Sequence, residues 1–269
     1  MIASIPSPPS NVIDLGILTI HAYGIMIALG VIAAIWLSGR RLEASRQGTR
    51  EQMGTISMWG VVGGIVGARI YYVLTDPSHP WQRPGDWVKI WEGGLGIPGG
   101  LLLGSLVAAA TARRLKVSVP HVLDAAAPAI PLAQAIGRWG NWFNQELFGR
   151  PTTMPWGLEV DYSRIPLQYR DNPDVLFHPT FLYESLWNVG LCLVLVQLHR
   201  RSPMRPGRLL AVYVAGYSVG RFLVESLRID SALDTGGLRL NQWTAIVAFA
   251  SAVGFLDRKS TRLNSSHTD

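Results

Sequence analysis

The sequence turns abruptly polar at residues 137–149, which read GRWGNWFNQELFG. An arginine, two asparagines and a glutamate crowd this stretch, and they follow directly on an apolar segment at 121–137. Ionisable side chains at membrane depth are costly to bury, so they are functional candidates wherever they occur. We therefore expect a membrane protein that carries a polar site inside its helix bundle.

The composition agrees with this interpretation. Hydrophobic residues make up 48% of the chain and charged residues 16%, against about 25% charged in ordinary soluble domains. Apolar runs of about 20 residues predict transmembrane helices. Seven such runs are found, at roughly 18–38, 54–74, 95–112, 121–137, 181–199, 209–227 and 241–257. The sequence thus predicts an all-α polytopic membrane protein whose seven helices form one domain over residues 1–257.

Basic residues indicate the orientation of these helices. Arginine and lysine concentrate in the short loops 39–52, 113–119 and 200–208, and loops of this kind remain on the cytoplasmic side. We predict an N-terminus outside and a C-terminus inside. The net charge of +6 then reflects topology, and no nucleic-acid partner is expected because the arginines are dispersed over separate loops.

Besides the short loops, two polar segments outside the predicted spans call for interpretation. Residues 138–180 form the longest polar interruption, and we predict a small extracytoplasmic head there, in which 156–160 and 175–177 could be short strands. Residues 258–269 are polar and lack a packing pattern. For this tail we predict disorder and no function.

Arg138 is the leading candidate for substrate binding. It opens the predicted head loop, and Asn141, Asn144 and Glu146 follow within two helical turns. A guanidinium is a planar fork of donors that binds phosphate in a bidentate manner, which lysine cannot do. The alternative is an interfacial arginine that extends to lipid headgroups, but the density of polar groups favours a phosphate-bearing substrate.

A second candidate lies in the sixth predicted span. Tyr217, Arg221 and Glu225 are spaced four residues apart and so share one helix face. Glu225 can neutralise Arg221 and hold it in place. A purely structural ion pair remains the alternative for this group.

Other polar side chains are open to two interpretations. His21 and Tyr23 open the first predicted span, where they either bind substrate or anchor the helix at the interface. His178 and Thr180 precede the fifth span, where helix capping is an alternative. The single cysteine, Cys192, excludes an intramolecular disulfide, and no spacing of His, Asp or Glu suggests a metal site.

Together these motifs resemble the prolipoprotein diacylglyceryl transferase family, with greatest similarity to its actinobacterial members. The matching motifs are GRxGNxxNxExxG at 137–149, HxYG at 21–24, WEGG at 91–94, HPTxxYE at 178–184 and YxxxRxxxE at 217–225. The motifs agree with the family in order and spacing, and the resemblance as a whole covers roughly residues 12–257.

The resemblance implies a specific reaction. Such enzymes transfer the diacylglyceryl group of phosphatidylglycerol to the lipobox cysteine thiol of a preprolipoprotein signal peptide. A thioether forms and glycerol phosphate leaves, without a metal or organic cofactor. The implied location is the bacterial cytoplasmic membrane, where the enzyme is a multi-pass protein surrounded by membrane lipids.

The resemblance also implies roles for individual residues. Arg138 and Arg221 bind the lipid phosphate, while Glu146 and Glu225 orient them and Tyr23 contacts the headgroup or the nucleophile. Further residues are implied in substrate binding, namely Asn141, Asn144, Gly149, His21, Tyr217 and His178.

Two questions stay open at this point. Pro98 stands where many family members carry a histidine, so the base for the thiol is unassigned among Glu146, Tyr23, His178 and the field of the arginines alone. The main alternative function is a transporter or flippase for an anionic lipid or small anion, which shares broken helices and buried arginines. The absence of internal sequence repeats favours the transferase.

Overall fold

The computed structural model of the chain describes residues 4–14, 16, 19–77, 85, 87–89, 93–202, 204–230 and 234–264. This part of the chain is predominantly helical. Its eight α-helices are α1 Ala22–Ala44, α2 Arg50–Thr75, α3 Ile97–Arg114, α4 Val119–Ala126, α5 Ala129–Asn144, α6 Thr180–Arg201, α7 Arg208–Glu225 and α8 Leu240–Asn264. Two short antiparallel hairpins pair β1 Val12–Asp14 with β2 Thr19–His21, and β3 Asp234–Thr235 with β4 Leu238–Arg239.

The described residues group into two compact units. Unit 1 comprises those within Met1–Ala34 and Ala126–Asp269, and unit 2 comprises those within Ile35–Ala125. Helix α1 therefore contributes to both units. The predicted site residues that the structure describes, from His21 to Glu225, all belong to unit 1.

Helix α6 shows the polarity expected of a membrane bundle. Its buried residues include Glu184 and Asn188, whereas Leu186, Leu193 and Val194 are among the most exposed side chains. Polar groups inside and apolar groups outside are stable only where the surroundings are themselves apolar. Within the described residues, three helices are long and apolar enough to cross a membrane, namely α1, α2 and α6.

The first helix begins later than its hydropathy predicts. It starts at Ala22, because Thr19–His21 forms β2 and pairs with β1 in a hairpin. The β-branched residues in both strands favour this extended pairing. His21 therefore lies on a strand and does not open the first span, which corrects the predicted boundary at residue 18.

The fourth predicted span, 121–137, is two helices in the structure. Helix α4 ends at Ala126, and Pro128 is the N-cap of α5, since proline cannot donate the backbone hydrogen bond that would continue a helix. Helix α5 then extends to Asn144. Arg138 and Asn141 are thus helical, and the prediction that they belong to a head loop beginning at residue 138 is wrong.

Glycines bring α2 and α3 of unit 2 into close contact. A Cβ atom at Gly67 would lie 2.3 Å from the carbonyl oxygen of Gly99, and one at Gly63 would lie 2.8 Å from Val107. Only glycine permits backbones to approach this closely. Gly63 and Gly67 therefore serve the contact between α2 and α3.

Unit 1 contains a small apolar core between α5 and α6. Phe148, Leu158, Ile165 and Phe177 are buried there, together with Phe181 at the start of α6. In place of the predicted strands at 156–160 and 175–177, the structure has isolated bridges, of which one joins Leu158 and Phe177. Segments this short form no ladder, and side-chain packing holds them together.

Helix α8 extends through Asn264, beyond the predicted end of the last span at residue 257. The backbone of 258–264 is therefore helical where we predicted disorder, because a helix that has already formed propagates readily through residues such as arginine, lysine and leucine. Residues 265–269 lie outside the described part of the chain, as do Trp91 and Glu92 of the WEGG motif.

Candidate active site

The last turn of α5 and the residue after it form the first part of the site. Helix α5 ends at Asn144, and Gln145 takes a left-handed conformation with φ of 50°. The backbone N–H of Glu146 then donates to the carbonyl of Asn141 at 3.1 Å. This reversal brings the Glu146 side chain back alongside the helix, within reach of the asparagines that precede it.

Two asparagines hold the Glu146 carboxylate. Asn141 Nδ2 donates to Glu146 Oε1 at 2.9 Å, and Asn144 Nδ2 donates to the same oxygen at 3.2 Å. Arg138 Nη1 in turn donates to Asn141 Oδ1 at 3.5 Å. The motif at 137–149 therefore forms one connected chain from Arg138 through Asn141 to Glu146.

Glu184 connects Arg138 to the second predicted arginine. Its Oε2 lies 2.5 Å from Arg138 Nη2, and its Oε1 lies 3.6 Å from Arg221 Nη1. Glu184 is buried, with 6% of its side chain exposed. Arg138 of α5 and Arg221 of α7 thus share one carboxylate of α6, and two guanidiniums come together in a single site.

Arg221 also pairs with Glu225 on its own helix. Arg221 Nη2 lies 2.7 Å from Glu225 Oε2, which agrees with the predicted pairing along one face of α7. Arg221 Nη1 is buried and has no hydrogen-bond partner among the described residues. Its ion-pair partner Glu184 Oε1 lies 3.6 Å away, beyond hydrogen-bond distance, so a ligand oxygen that accepts from this atom would stabilise the site.

Glu225 is the most enclosed carboxylate of the site, with no exposed side-chain surface. Besides Arg221, it contacts Arg239 Nε at 3.1 Å and Asn241 Nδ2 at 3.1 Å. Arg228 Nη1 is more distant, at 3.8 Å. Glu225 therefore joins the end of α7 to the start of α8.

The ion-pair network around the site contains several opposite charges. Its arginines are Arg138, Arg221, Arg228 and Arg239, and its carboxylates are Glu184, Glu225 and Asp230. Glu146, which Asn141 links to Arg138, adds a fourth carboxylate, so the four guanidiniums are balanced in number. The feature that suits an anionic phosphate is therefore local: the guanidiniums of Arg138 and Arg221 lie on either side of one carboxylate.

Tyr23 approaches this site from α1. A Cβ atom at Gly140 would lie 2.6 Å from Tyr23 Cδ2, so the tyrosine ring packs directly on the backbone of α5 beside Asn141. Its side chain remains partly accessible, with 37% exposed. Helices α1 and α5 also approach each other at Gly30 and Ala133, so Tyr23 lies beside the 137–149 motif.

His178 belongs to a separate hydrogen-bonded group. Its Nδ1 lies 3.0 Å from the hydroxyl of Tyr183, which also accepts from Trp156 Nε1 at 2.9 Å. Burial, and secondly the positive charge of Arg150, hold the pKa of His178 below its usual range. The imidazole is therefore neutral at pH 7, and its hydrogen-bond partner is Tyr183 of α6 and not Arg138 or Arg221.

Three other residues implied in substrate binding, Gly149, Tyr217 and His21, lie outside the ion-pair network in the structure. Gly149 donates its backbone N–H to His178 at 2.9 Å, and a Cβ there would lie 3.0 Å from the carbonyl of Leu227. Tyr217 packs in an apolar cluster with Tyr213, at 5.9 Å between ring centroids. His21 is exposed on β2. The observed contacts of Gly149 and Tyr217 are structural.

Two residues of the ion-pair network, Glu184 and Arg239, were not among the predicted site residues. Glu184 could have been predicted as a site residue, because burying an acidic side chain near the start of an apolar helix costs free energy unless the side chain is paired. Arg239 follows a polar hairpin and could not have been predicted in this way. Pro98 lies in the first turn of α3 in unit 2, a position that suits proline because the first helical N–H groups have no partner to lose.

Known proteins support the predicted family. Residues 10–257 match the family model described as Prolipoprotein diacylglyceryl transferase. The chain is 48% identical over 258 residues to Phosphatidylglycerol--prolipoprotein diacylglyceryl transferase 2 of Streptomyces coelicolor, and this covers 95% of the chain and 80% of the relative.

Two further relatives agree. A Phosphatidylglycerol--prolipoprotein diacylglyceryl transferase of Frankia alni is 48% identical over 255 residues, which cover 93% of this chain and 66% of that protein. One of Streptomyces griseus is 45% identical over 258 residues, which cover 95% and 77%. These matches do not favour the transporter alternative.

Proposed function

The chain belongs to the prolipoprotein diacylglyceryl transferase family, and we propose that it acts on phosphatidylglycerol and the lipobox cysteine of a preprolipoprotein. It is a membrane enzyme of lipoprotein maturation. The proposed products are the diacylglyceryl thioether of the prolipoprotein and glycerol phosphate.

One observation carries the assignment of the lipid-binding site. Arg138 and Arg221 meet at Glu184, and Arg221 Nη1 is a buried donor without a hydrogen-bond partner in the described structure. Two guanidiniums on separate helices can hold one phosphate from two sides. We assign the phosphate of phosphatidylglycerol to this pair of arginines.

The chemistry follows from this placement. The cysteine sulfur attacks the glyceryl carbon that carries the phosphate, a carbon–sulfur bond forms, and the carbon–oxygen bond to the phosphate breaks. The electron pair of the broken bond stays on the phosphate oxygen of the departing glycerol phosphate. Fixed positive groups stabilise this developing charge better than water does, because they need no reorganisation.

The thiol must lose its proton, since the thiolate is the nucleophile and a free thiol has a pKa of about 8.5. Glu146 already accepts two amide hydrogen bonds, and His178 is bonded to Tyr183. We assign thiol ionisation to the field of Arg138 and Arg221 in preference to Glu146, His178 or Tyr23 as a base, and the proton passes to solvent water. A pH–rate profile with one ionisation, which shifts when the peptide thiol is replaced by a selenol, supports this; a second, enzyme-borne ionisation contradicts it.

We further propose seven membrane spans, with α4 and α5 together forming the fourth. The N-terminus lies outside, the C-terminus lies inside, and the head faces away from the cytoplasm of the bacterial cell. The family match over residues 10–257 supports the proposal of a single transferase domain over 1–257. Single cysteines introduced into a Cys192→Ala background at exposed head positions such as Asp174, and in loop 39–52 at Arg46, test this by labelling of intact cells with an impermeant maleimide.

Direct turnover tests the activity itself. Detergent-purified protein is incubated with phosphatidylglycerol and a lipobox peptide, while the peptide mass and the release of glycerol phosphate are followed. We expect a diacylglyceryl mass gain that disappears with Arg138→Ala and with a peptide that has serine in place of cysteine. A wild-type protein that yields neither product, under conditions in which a Streptomyces coelicolor relative does, refutes the proposed function.

A further inference from the structure

Arg239 lies at the end of β4, directly before α8, and only 15% of its side chain is exposed. Its backbone N–H donates to Gln242 Oε1 at 3.0 Å, and Gln242 is itself buried. This local hydrogen bond ties Arg239 to the first turn of α8. An arginine so close to a hairpin tip would ordinarily extend into solvent, yet this one points back to α7.

Every nitrogen of the Arg239 guanidinium is engaged. Nε lies 3.1 Å from Glu225 Oε1, and Nη1 donates to the Glu225 carbonyl at 3.4 Å. Nη2 donates to the Asp230 carbonyl at 2.6 Å and lies 3.1 Å from Asp230 Oδ2. A planar fork with fixed donor directions satisfies all four contacts, whereas a lysine ammonium at one point in space cannot.

The partners of Arg239 are themselves fixed. Asp230 also binds Arg228 through two hydrogen bonds, at 2.7 and 2.9 Å. Burial alone would raise the pKa of Asp230, but its hydrogen bonds with Arg228 and the charges of Arg228 and Arg239 hold that pKa below its usual range. Asp230 is thus an anion at neutral pH, and it anchors one side of the guanidinium while Glu225 receives the other.

Glu225 connects Arg239 to Arg221. Its Oε1 is held by Arg239 and by Asn241 Nδ2, and its Oε2 lies 2.7 Å from Arg221 Nη2. A carboxylate held through one oxygen presents the other in a defined direction. Without the contact from Arg239 to Oε1, the Glu225 carboxylate is freer to rotate. Arg221 Nη2 then loses a partner in a fixed position.

We propose that Arg239 is a positioning residue, which fixes Glu225 and thereby directs Arg221 toward the phosphate of the lipid substrate. The proposal rests on the function proposed above. It assigns to Arg239 no contact with either substrate, and it predicts an effect on the lipid side of the reaction and not on the peptide side.

The test compares Arg239→Lys and Arg239→Ala in the turnover assay, with lipid and peptide varied separately. Lysine retains the charge but not the fork, so we expect both variants to lose about 10- to 100-fold in kcat/KM for phosphatidylglycerol, with an unchanged KM for the peptide. Asn241→Ala removes one exposed amide that contacts Glu225, and we expect a smaller loss of the same kind.

Arg170 provides a matched control. It is an arginine of the head that binds the carbonyls of Ile165 and Ser163 and lies 5.6 Å from the Tyr162 ring, away from Glu225 in the contact network. Arg170→Lys should retain the wild-type kcat/KM for lipid. Thermal unfolding of each variant in detergent separates loss of activity from loss of folded protein.

If the wild-type protein shows no turnover, the proposed function fails and the role of Arg239 is not at issue. Once wild-type turnover is established, two outcomes decide the proposal about Arg239. If Arg239→Lys has the wild-type kcat/KM for lipid, the guanidinium does not position Glu225 and the inference is overturned. In a Glu225→Gln background, the proposal requires Arg239→Lys to add little further loss, because coupled residues are non-additive. A full additional loss in that background also overturns it.

Discussion

The carboxylate of Glu184 lies 2.5 Å from the guanidinium of Arg138, and this buried pair links α6 to α5. Because the other carboxylate oxygen faces Arg221, the position of one side chain sets the separation of the two arginines.

Replacing Glu184 should separate the two arginines. With Glu184→Gln, one guanidinium loses its ionic partner and the two positive charges repel each other, and a displacement of about 1 Å can cost about 100-fold in rate. Initial rates of diacylglyceryl transfer measure this. Glu159→Gln, a carboxylate of the head that accepts from Ser4, is the matched control, and equal rates for both variants would contradict a role for Glu184.

Asn141 should matter more than Asn144, although both donate to Glu146. Asn141 is buried and also accepts from Arg138, so Asn141→Asp places a second carboxylate beside Glu146 and removes a donor. We expect about 100-fold loss of transfer for Asn141→Asp, and less than about tenfold for Asn144→Ala. If the two variants are ranked in the reverse order by their rates, the chain from Arg138 to Glu146 is not the functional unit.

Gly140→Ala should displace Tyr23, because the added Cβ would lie 2.6 Å from its ring. Overpacking of this kind costs about 1–3 kcal/mol, and transfer activity should fall together with stability. Gly190→Ala on α6 is the control, since a Cβ there meets nothing within 4 Å and helix propensity improves by about 0.5–1 kcal/mol. Thermal unfolding in detergent and transfer rates compare the two, and a stable, active Gly140→Ala protein would exclude close packing of Tyr23.

His178 should make stability depend on pH. Burial and the charge of Arg150 lower its pKa in the folded state from 6.5, so the unfolded chain binds a proton more readily. The contribution of neutral His178 is fully present above about pH 6.5 and is lost as the pH falls toward the lowered value. His178→Gln should therefore reduce the fall in unfolding temperature between about pH 7.5 and about pH 5.5.

His21→Gln, which changes an exposed histidine of β2, is the control for that experiment. It should retain the wild-type difference in unfolding temperature between the two pH values. If His178→Gln retains it as well, the lowered pKa of His178 does not contribute to stability over this range.

The sequence by itself determined the class of the protein and one part of its site. Long apolar runs require helices wherever lipid replaces water, since each backbone polar group must then find a partner within its own segment. The local spacing of the motifs placed Asn141 and Glu146 near Arg138, and Arg221 near Glu225, because helix and turn geometry bring residues a few positions apart into contact.

Only the tertiary structure decided how the two arginines meet and what holds them. Glu184 reaches both from a third helix, and Arg239 reaches Glu225 across a hairpin that no local pattern distinguishes. It also showed that α5 continues through Arg138, where hydropathy predicted a loop. Hydropathy records the cost of polar groups in lipid, but pairing of charges on different helices in the bundle interior offsets part of that cost. Such pairing depends on packing between segments distant in the chain.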